Sequence, residues 1–510
     1  MTIIETSNVE RFSRLPTLIL TNILGELQSD KDLFNLIRAS PESLRIFLRY
    51  RHTVDSQRLA RFLDLDIDGT MRQDALAIIN FPRLEGTSLV PFPVISDWLD
   101  TLDARNFQYH QHTGILRRLF TRLVVFIEDY LAKTLDPFPA RACMTLPTIG
   151  RLVPSMRFKG QETDIKPVSI GIMPAHTRHR LLQAFIRYEL RCKIYDPRVW
   201  SQLHRTPYAY MIEQWNERLT LTDLEELHCV FEYVRGMYGA IFAQCNDDTW
   251  FPERPVPEVT TTMRRRNDEQ PDLPSAKGFG LLFPDNLYFD IGEYTFFGYL
   301  RMPKLEILPC LGLDLLSPII QTRRFDFAIL STIGRRAQYL DRVFHCKKWI
   351  TKGRFNYDHR LYTSESKLDR WKQKMENPDV PGNITRMRIT PLRDVKQRTK
   401  DFKLQILQSK IYRQRGWIFL NDSPTHHPIL PSVSDLTEQD ASVSDDICLG
   451  PQRKRRRSQR WHNYWSGLSL EDPLDTDSPA NHSNLANHLL EPRVSSFSTV
   501  PRFLSGATAS

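Results

Sequence analysis

Residues 13–50 read SRLPTLILTNILGELQSDKDLFNLIRASPESLRIFLRY. Apolar residues recur in this stretch at intervals of three and four, which is typical of amphipathic helices. Pro16 suits the first turn of one helix, where no backbone N–H is needed. Ser29 or Asp30 can cap a second helix, and Ser40, followed by a proline, can cap a third. The sequence therefore predicts three consecutive short helices.

These helices need a surface to dock on, because isolated helices shorter than about 12–15 residues barely form in water. Two surfaces are available: the rest of this chain, or a separate partner protein. The side chains expected on the apolar faces are Leu15, Leu18, Ile19, Ile23, Leu24 and Leu27 in the first helix, Leu33, Phe34, Leu36 and Ile37 in the second, and Leu44, Phe47 and Leu48 in the third.

The same stretch resembles an F-box. The resemblance is carried by Leu15-Pro16, Leu18-Ile19, Ile23-Leu24, Leu27, Asp32-Leu33 and the run from Leu36 to Pro41. It implies a helical hairpin that binds the small Skp adaptor of a cullin-based ubiquitin ligase, while the rest of the chain holds an unidentified protein substrate. By matching position, the residues that would contact the adaptor are Leu15, Pro16, Leu18, Ile19, Ile23, Leu24, Leu27, Leu33 and Leu36.

Composition places the chain among globular proteins of a reducing compartment. Of its 510 residues, 41% are hydrophobic and 25% are charged, and no apolar run reaches the roughly 18 residues of a membrane span. The first residues lack the basic and apolar regions of a secretory signal. The seven cysteines are odd in number and widely spaced, which favours free thiols. We expect a protein of the nucleus or cytoplasm that is not secreted.

Residues 51–422 are predicted to form one larger, irregular helical body, because amphipathic patterns follow one another there without a repeat period. The predicted helices span 57–81 with a break at 64–70, 114–133, 181–190 and 222–243, the last opened by a capping box at Thr222–Glu225. Frequent prolines and glycines predict loops at 83–97 and 134–174, the second with a short strand, a disordered insertion at 251–277 and a small β-hairpin at 281–300.

Three aspartates in the break at 64–70 match two functional motifs in part. Asp64, Asp66, Asp68 and Gly69 fit the start of a calcium loop, but Ala75 occupies the position of its bidentate glutamate. Asp66, Asp68, Gly69 and Thr70 fit the first motif of haloacid-dehalogenase-type phosphatases, but that motif follows a buried strand and the preceding pattern here is helical. The sequence favours a polar turn with Gly69 in the left-handed region. No catalytic, metal or cofactor site is predicted.

Residues 331–422 carry 22 lysines and arginines against 9 aspartates and glutamates. Aromatic residues lie among these basic residues, which is typical of a nucleic-acid surface, but solvated helix faces produce the same pattern and are favoured here. The stretch from Arg413 to Asp422 resembles the end of large fungal F-box-like proteins. That resemblance implies that Trp417 and Phe419 close the core, after a helix that ends at Gly416.

The tail from 423 to 510 shifts to Ser, Pro, Asp and His and is predicted to be disordered, as is the flexible N terminus at 1–12. The tail contains one basic cluster that is typical of a nuclear import signal read by an import receptor, or of a nucleic-acid patch, or of a solvated charge run. The cluster comprises Arg453, Lys454, Arg455, Arg456 and Arg457.

Two functions remain open at the level of sequence. In the first, the chain is a non-catalytic substrate receptor of a ubiquitin ligase, and residues 13–50 hold the adaptor. In the second, it is a nuclear helical protein that binds nucleic acid or a partner through its basic C-terminal half, and residues 13–50 fold into its core. The two differ in whether the apolar side chains of the first helices are exposed.

Overall fold

The structure, a computed structural model, describes residues 11–27, 30–82, 89–103, 112–136, 139–150, 154–244, 251, 308–322 and 411–420. The predicted mainly α fold is confirmed within these ranges. The helices are α1 (Thr17–Glu26), α2 (Asp30–Ala39), α3 (Pro41–Phe62), α4 (Thr70–Ile79), α5 (Phe92–Asp103), α6 (Thr113–Leu135), α7 (Pro139–Met144), α8 (Ala175–Ile194), α9 (Pro197–Leu203), α10 (Pro207–Glu217), α11 (Leu221–Gln244), α12 (Leu313–Gln321) and α13 (Trp417–Leu420).

Several predictions fall on other parts of the chain. The insertion at 251–277 (apart from Phe251), the hairpin at 281–300, most of the basic region 331–422 and the tail with its basic cluster lie outside the described residues. The N terminus is described from residue 11 onward. Arg11–Arg14 form a 3-10 turn there and Phe12 packs on the first helices, while the flexibility predicted for residues 1–12 stays a prediction.

The three predicted N-terminal helices are confirmed, and the third is longer than expected. The Ser40 side chain accepts a hydrogen bond from the Ser43 backbone N–H at 3.0 Å, and Pro41 occupies the first turn of α3, as the sequence predicted. Tyr50 then leaves helical geometry, with φ −115° and ψ 24°. Helix α3 bends there and continues to Phe62, so a single helix reaches from the N-terminal helices into the body.

Helix α6 is the centre of the body, where it packs against α3, α4 and α8. It confirms the helix predicted at 114–133, and most of its predicted apolar stripe is buried, whereas Ile115 is exposed. One basic residue of this helix, Lys133, points into the core. Its Nζ lies buried, 2.5 Å from the Asp129 carboxylate, because the pair satisfies both charges inside the core.

One small antiparallel sheet lies in the stretch predicted as loop with a short strand. Its strands are β1 (Leu146–Pro147), β2 (Met156–Phe158) and β3 (Gln161–Glu162), in the order β1-β2-β3. Lys159 and Gly160 connect β2 to β3 and both have positive φ, 49° and 81°. Helix α5 corrects the loop predicted at 83–97, because Pro93 falls in its first turn, where a proline is tolerated.

The C-terminal segment 411–420 returns to the body and completes its core. Gly416 has φ +61°, the left-handed conformation expected of it, and the chain reverses there between two short helical turns. Trp417 and Phe419 are buried in the main core, as the resemblance implied. The Tyr130 hydroxyl of α6 donates to the Arg413 carbonyl at 2.9 Å, so this segment is fixed to the central helix.

Candidate docking surface

Helices α1, α2 and α3 have a hydrophobic core separate from that of the body. Its buried members are Leu20, Leu24, Leu33, Ile37, Ile46 and Val54. The main core begins further along the same helix, at Leu59. Helix α3 therefore contributes its first part to one core and its last turns to the other. We call residues 11–54, which surround the first core, the N-terminal unit.

Helix α1 lies against α3 at close range because Gly25 leaves room for a side chain. A Cβ atom at Gly25 would lie 2.0 Å from Oε1 of Gln57, so no larger residue fits without moving the glutamine. Gln57 in turn donates to Oδ1 of Asn22 at 3.0 Å. One turn later, Arg61 pairs with Glu26 at the end of α1. These polar contacts hold α1 along the length of α3.

The N-terminal unit is joined to the body through α3. Asp55 is buried and its carboxylate lies 2.9 Å from Nε of Arg117 on α6. At the end of α3, the ring of Phe62 stacks on that of Phe120 with the centroids 5.4 Å apart. The junction is therefore an ion pair backed by aromatic packing, and it leaves the far sides of α1 and α2 outside the body's core.

Five large apolar side chains of the N-terminal unit lie on its surface. Their exposure ranges from 41% to 71%, and they are Leu18, Ile19, Phe34, Leu44 and Leu48. The expectation that Leu44 and Leu48 point inward is wrong. Helix α3 packs through Ser43 and Ile46 instead, and this face leaves positions 44 and 48 in solvent.

The structure divides the nine residues matched to the adaptor contacts into three groups. Pro16, Leu18 and Ile19 are exposed. Leu15, Ile23, Leu27 and Leu36 are half-buried, and three of these four pack on the core of the unit. Leu24 and Leu33 require a correction, because both are buried in that core and contribute nothing to the surface. The pattern also missed Phe34, Leu44 and Leu48 as surface residues.

Two of the three aspartates in the break at 64–70, Asp66 and Asp68, cap helix α4. The two carboxylate oxygens of Asp66 accept from the backbone N–H groups of Met71 and Arg72, each at 2.9 Å, and Asp68 accepts from that of Thr70 at 3.1 Å. Gly69 has φ +71°, so the predicted polar turn is confirmed. Carboxylates at a helix N terminus satisfy its free N–H groups. Across the described ranges, no cluster of three or more His, Cys, Asp or Glu side chains could hold a metal ion.

The clearest electrostatic feature of the body is a buried ion pair between α11 and the C-terminal segment. Glu225 accepts from Nε and Nη2 of Arg413 at 2.7 and 2.8 Å. Burial alone would raise the pKa of Glu225, but Arg413 and His228 outweigh it and lower the pKa to about 2. Trp417 Nε1 also donates to this carboxylate, at 3.4 Å. The arrangement holds the segment 411–420 in place and leaves no oxygen of Glu225 directed at a substrate.

The predicted capping box at Thr222–Glu225 is wrong because Glu225 serves this ion pair. The cap forms two residues earlier: the Asp223 carboxylate accepts from both the N–H and the hydroxyl of Thr220, at 2.9 and 2.7 Å, and the Thr220 hydroxyl accepts from the Asp223 N–H at 3.1 Å. This reciprocal pairing satisfies the backbone N–H groups of Thr220 and Asp223 at the start of α11.

No family model, curated protein or solved structure matches this chain. Among the described residues, no helix combines the length and apolar character needed to cross a bilayer.

Proposed function

We propose that this chain is a substrate receptor of a Skp–cullin–F-box ubiquitin ligase and performs no chemistry itself. Helices α1 to α3 bind the Skp-type adaptor, and the helical body binds a target protein. The observation that carries the proposal is the combination of a separate three-helix core with five exposed large apolar side chains on the same helices. Apolar side chains gathered on the surface of a soluble protein usually mark a binding site.

The energetics support a partner at this surface. Leu18 is 71% exposed and Leu48 is 65% exposed. Burying a side chain of this size contributes roughly 1.5–3 kcal/mol, so covering several of them supplies the driving force for a stable complex. The polar contacts between α1 and α3 fix the helices before binding, which reduces the ordering cost of association.

The alternative is a nuclear helical protein that binds nucleic acid through its basic C-terminal half. Within the described part of that half, Arg413 and Arg415 are both buried: the first pairs with Glu225, and the second donates to the carbonyls of Lys133 and Asp136. Neither is presented to a phosphate. The N-terminal helices also have a core of their own, whereas the alternative would place them in the core of the body. Both observations favour the receptor.

Nuclear import through the basic tail cluster is compatible with either function and stays a prediction. Replacing all five basic residues with alanine should shift a fluorescent fusion of the full chain from the nucleus to the cytoplasm, because an import receptor recognises the clustered charges. An unchanged distribution would contradict the import signal. The replaced residues are Arg453, Lys454, Arg455, Arg456 and Arg457.

The proposed function is tested with the purified full chain and a purified Skp-type adaptor. We expect the two to elute together from a gel-filtration column and to give a saturable heat signal on titration. The absence of a complex at micromolar concentrations of both proteins would contradict the proposal. Deletion of residues 1–50 is a poor control, because it cuts through α3, which continues to Phe62 and packs on α6. Point substitutions on the exposed side chains are therefore preferable.

A further inference from the structure

A second surface with exposed apolar side chains lies on the body, where Tyr208 of α10 joins α5. The Tyr208 ring lies 6.4 Å from that of Phe92, measured between centroids. Its hydroxyl donates to Oδ1 of Asp100 at 3.0 Å and shares a hydrogen bond of 2.8 Å with the Ser96 hydroxyl. Tyr208 thus contacts three positions on one face of α5, spaced by four residues each, and links the first turn of α10 to that helix.

Both helices are firmly anchored beneath this surface. Ile95 and Trp98 of α5 and Ile212 of α10 are buried in the main core, and the Trp98 indole N–H donates to the Ala77 carbonyl at 2.9 Å. The apolar side chains that remain outside are therefore held by a rigid support. Their exposure ranges from 37% to 66%, and they are Leu89, Phe92, Val94, Tyr210 and Met211. We call these five residues and helices α5 and α10 the α5–α10 surface.

The charge of the α5–α10 surface has one sign. Among their described side chains, helices α5 and α10 have three acidic residues and no lysine, arginine or histidine, although the whole chain carries a formal charge of +9. Arg205 and Arg218 lie beyond the two ends of α10. Apolar side chains bordered by carboxylates form a surface that attracts positive charge and offers apolar contacts. The acidic residues are Asp97, Asp100 and Glu213, and all three are exposed.

We propose that the α5–α10 surface binds a basic peptide segment of another protein, one that combines lysine or arginine with apolar anchors. Exposed aromatic residues such as Tyr210 suit this partner twice over, because they bury apolar area and also attract a guanidinium or ammonium group over the ring. If this basic peptide belongs to the target of a ubiquitin ligase, that part of the proposal rests on the proposed function. The binding of the peptide to the α5–α10 surface does not depend on the proposed function.

The test uses the full chain and an array of synthetic peptides of about 15 residues. One set combines Lys or Arg with Leu, Phe or Trp, a second replaces every basic residue with Glu, a third replaces every apolar residue with Ser, and a fourth covers residues 331–410 of this chain. We expect the first set to bind more tightly than the other three, with affinity that falls as salt rises. Equal binding to the acidic or the serine set would overturn the proposal. Preferential binding of residues 331–410 would also overturn it, by making the occupant this chain itself.

Substitutions locate the binding on the molecule. The double variant Tyr210→Lys with Met211→Lys changes two exposed positions and should keep the melting temperature, while its affinity for the basic peptides falls by about tenfold or more. Ile172→Lys, at a position 57% exposed and outside both helices, is the matched control and should bind as the wild type does. Unchanged affinity in the double variant would refute the site. Its adaptor binding should be intact, which separates this test from that of the proposed function.

Discussion

Arg413→Met should destabilise the protein more than most single substitutions, although Arg413 lies far along the chain from every residue it contacts in the body. The substitution removes the only side chain whose two nitrogens bond the Glu225 carboxylate in the described residues, and methionine roughly preserves the apolar volume. Glu225 is then a buried anion whose remaining donors are His228 and the indole N–H of Trp417. A buried charge that has lost its partner carries most of its desolvation cost.

The expected loss of stability is several kcal/mol. Removing one partner of a buried ion pair typically costs about 3–5 kcal/mol. The pKa of Glu225 falls from 4.5 to about 2 in the folded protein, and this difference corresponds to about 3 kcal/mol at neutral pH. Because the folded pKa is the lower one, the stabilisation is present above pH 4.5 and is lost as the pH falls toward about 2.

The assay is urea unfolding of the full chain at pH 7 and at a series of lower pH values. Arg413→Met should lower the free energy of unfolding by about 3 kcal/mol or more at pH 7. The variant should also lack the loss of stability that the wild type shows as the pH falls from 4.5 toward about 2. Adding Glu225→Gln to it should restore part of the stability, because the unpaired charge is gone. Arg118→Met, at an exposed position, should change the free energy of unfolding by less than about 1 kcal/mol. A double variant no more stable than Arg413→Met would refute the reasoning.

Two further substitutions test particular contacts. Burial raises the pKa of Asp74 to about 7, although the positive charge of Arg187 opposes this shift, so the free energy of unfolding should fall as the pH rises from about 4 through about 7. Asp74→Asn should be more stable than the wild type by about 1–3 kcal/mol at pH 8 and should lose that advantage below pH 4. A variant less stable than the wild type at pH 8 would contradict this. Gly25→Ala should lower the stability by about 1–3 kcal/mol in thermal melting, because the new methyl group displaces Gln57. Adding Gln57→Ala should restore most of this stability. If it does not, the clash with Gln57 is not the cause.

Local signals in the sequence were sufficient for helix ends and reversals of the chain. Ser40 caps α3, and Gly69 and Gly416 adopt positive φ, because the physical requirement at each position is met by the residue itself and its neighbours. The same locality explains the error at α11. Thr220 and Thr222 both begin a pattern suited to a capping box. The choice between them depends on Arg413, which lies 188 residues after Glu225 in the sequence and binds its carboxylate.

The surface of the candidate site was only partly predictable for a related reason. Helix α1 has apolar residues around most of its circumference, so its periodicity does not show which side faces α3; Leu20 is buried while Leu18 and Ile19 are exposed. Helix α3 has two candidate rows for its buried face, and the predicted one, with Leu44 and Leu48, is exposed. The buried row includes Ser43, whose small size allows close packing and whose N–H bonds the Ser40 cap. Tertiary packing determines which row is buried, and the local sequence pattern does not show that packing.

The most direct test of the receptor proposal compares adaptor binding with stability in one variant. Leu18→Asp with Ile19→Asp places two charges on the exposed side of α1, where they meet water in the free chain but would be desolvated against an adaptor. We predict that adaptor binding falls below detection in titration calorimetry while the melting temperature stays close to that of the wild type. Ile67→Asp, at a position 95% exposed, should retain both properties. Adaptor binding that survives in the double variant, or a melting temperature lowered by many degrees with no adaptor binding by the wild type, would contradict the account.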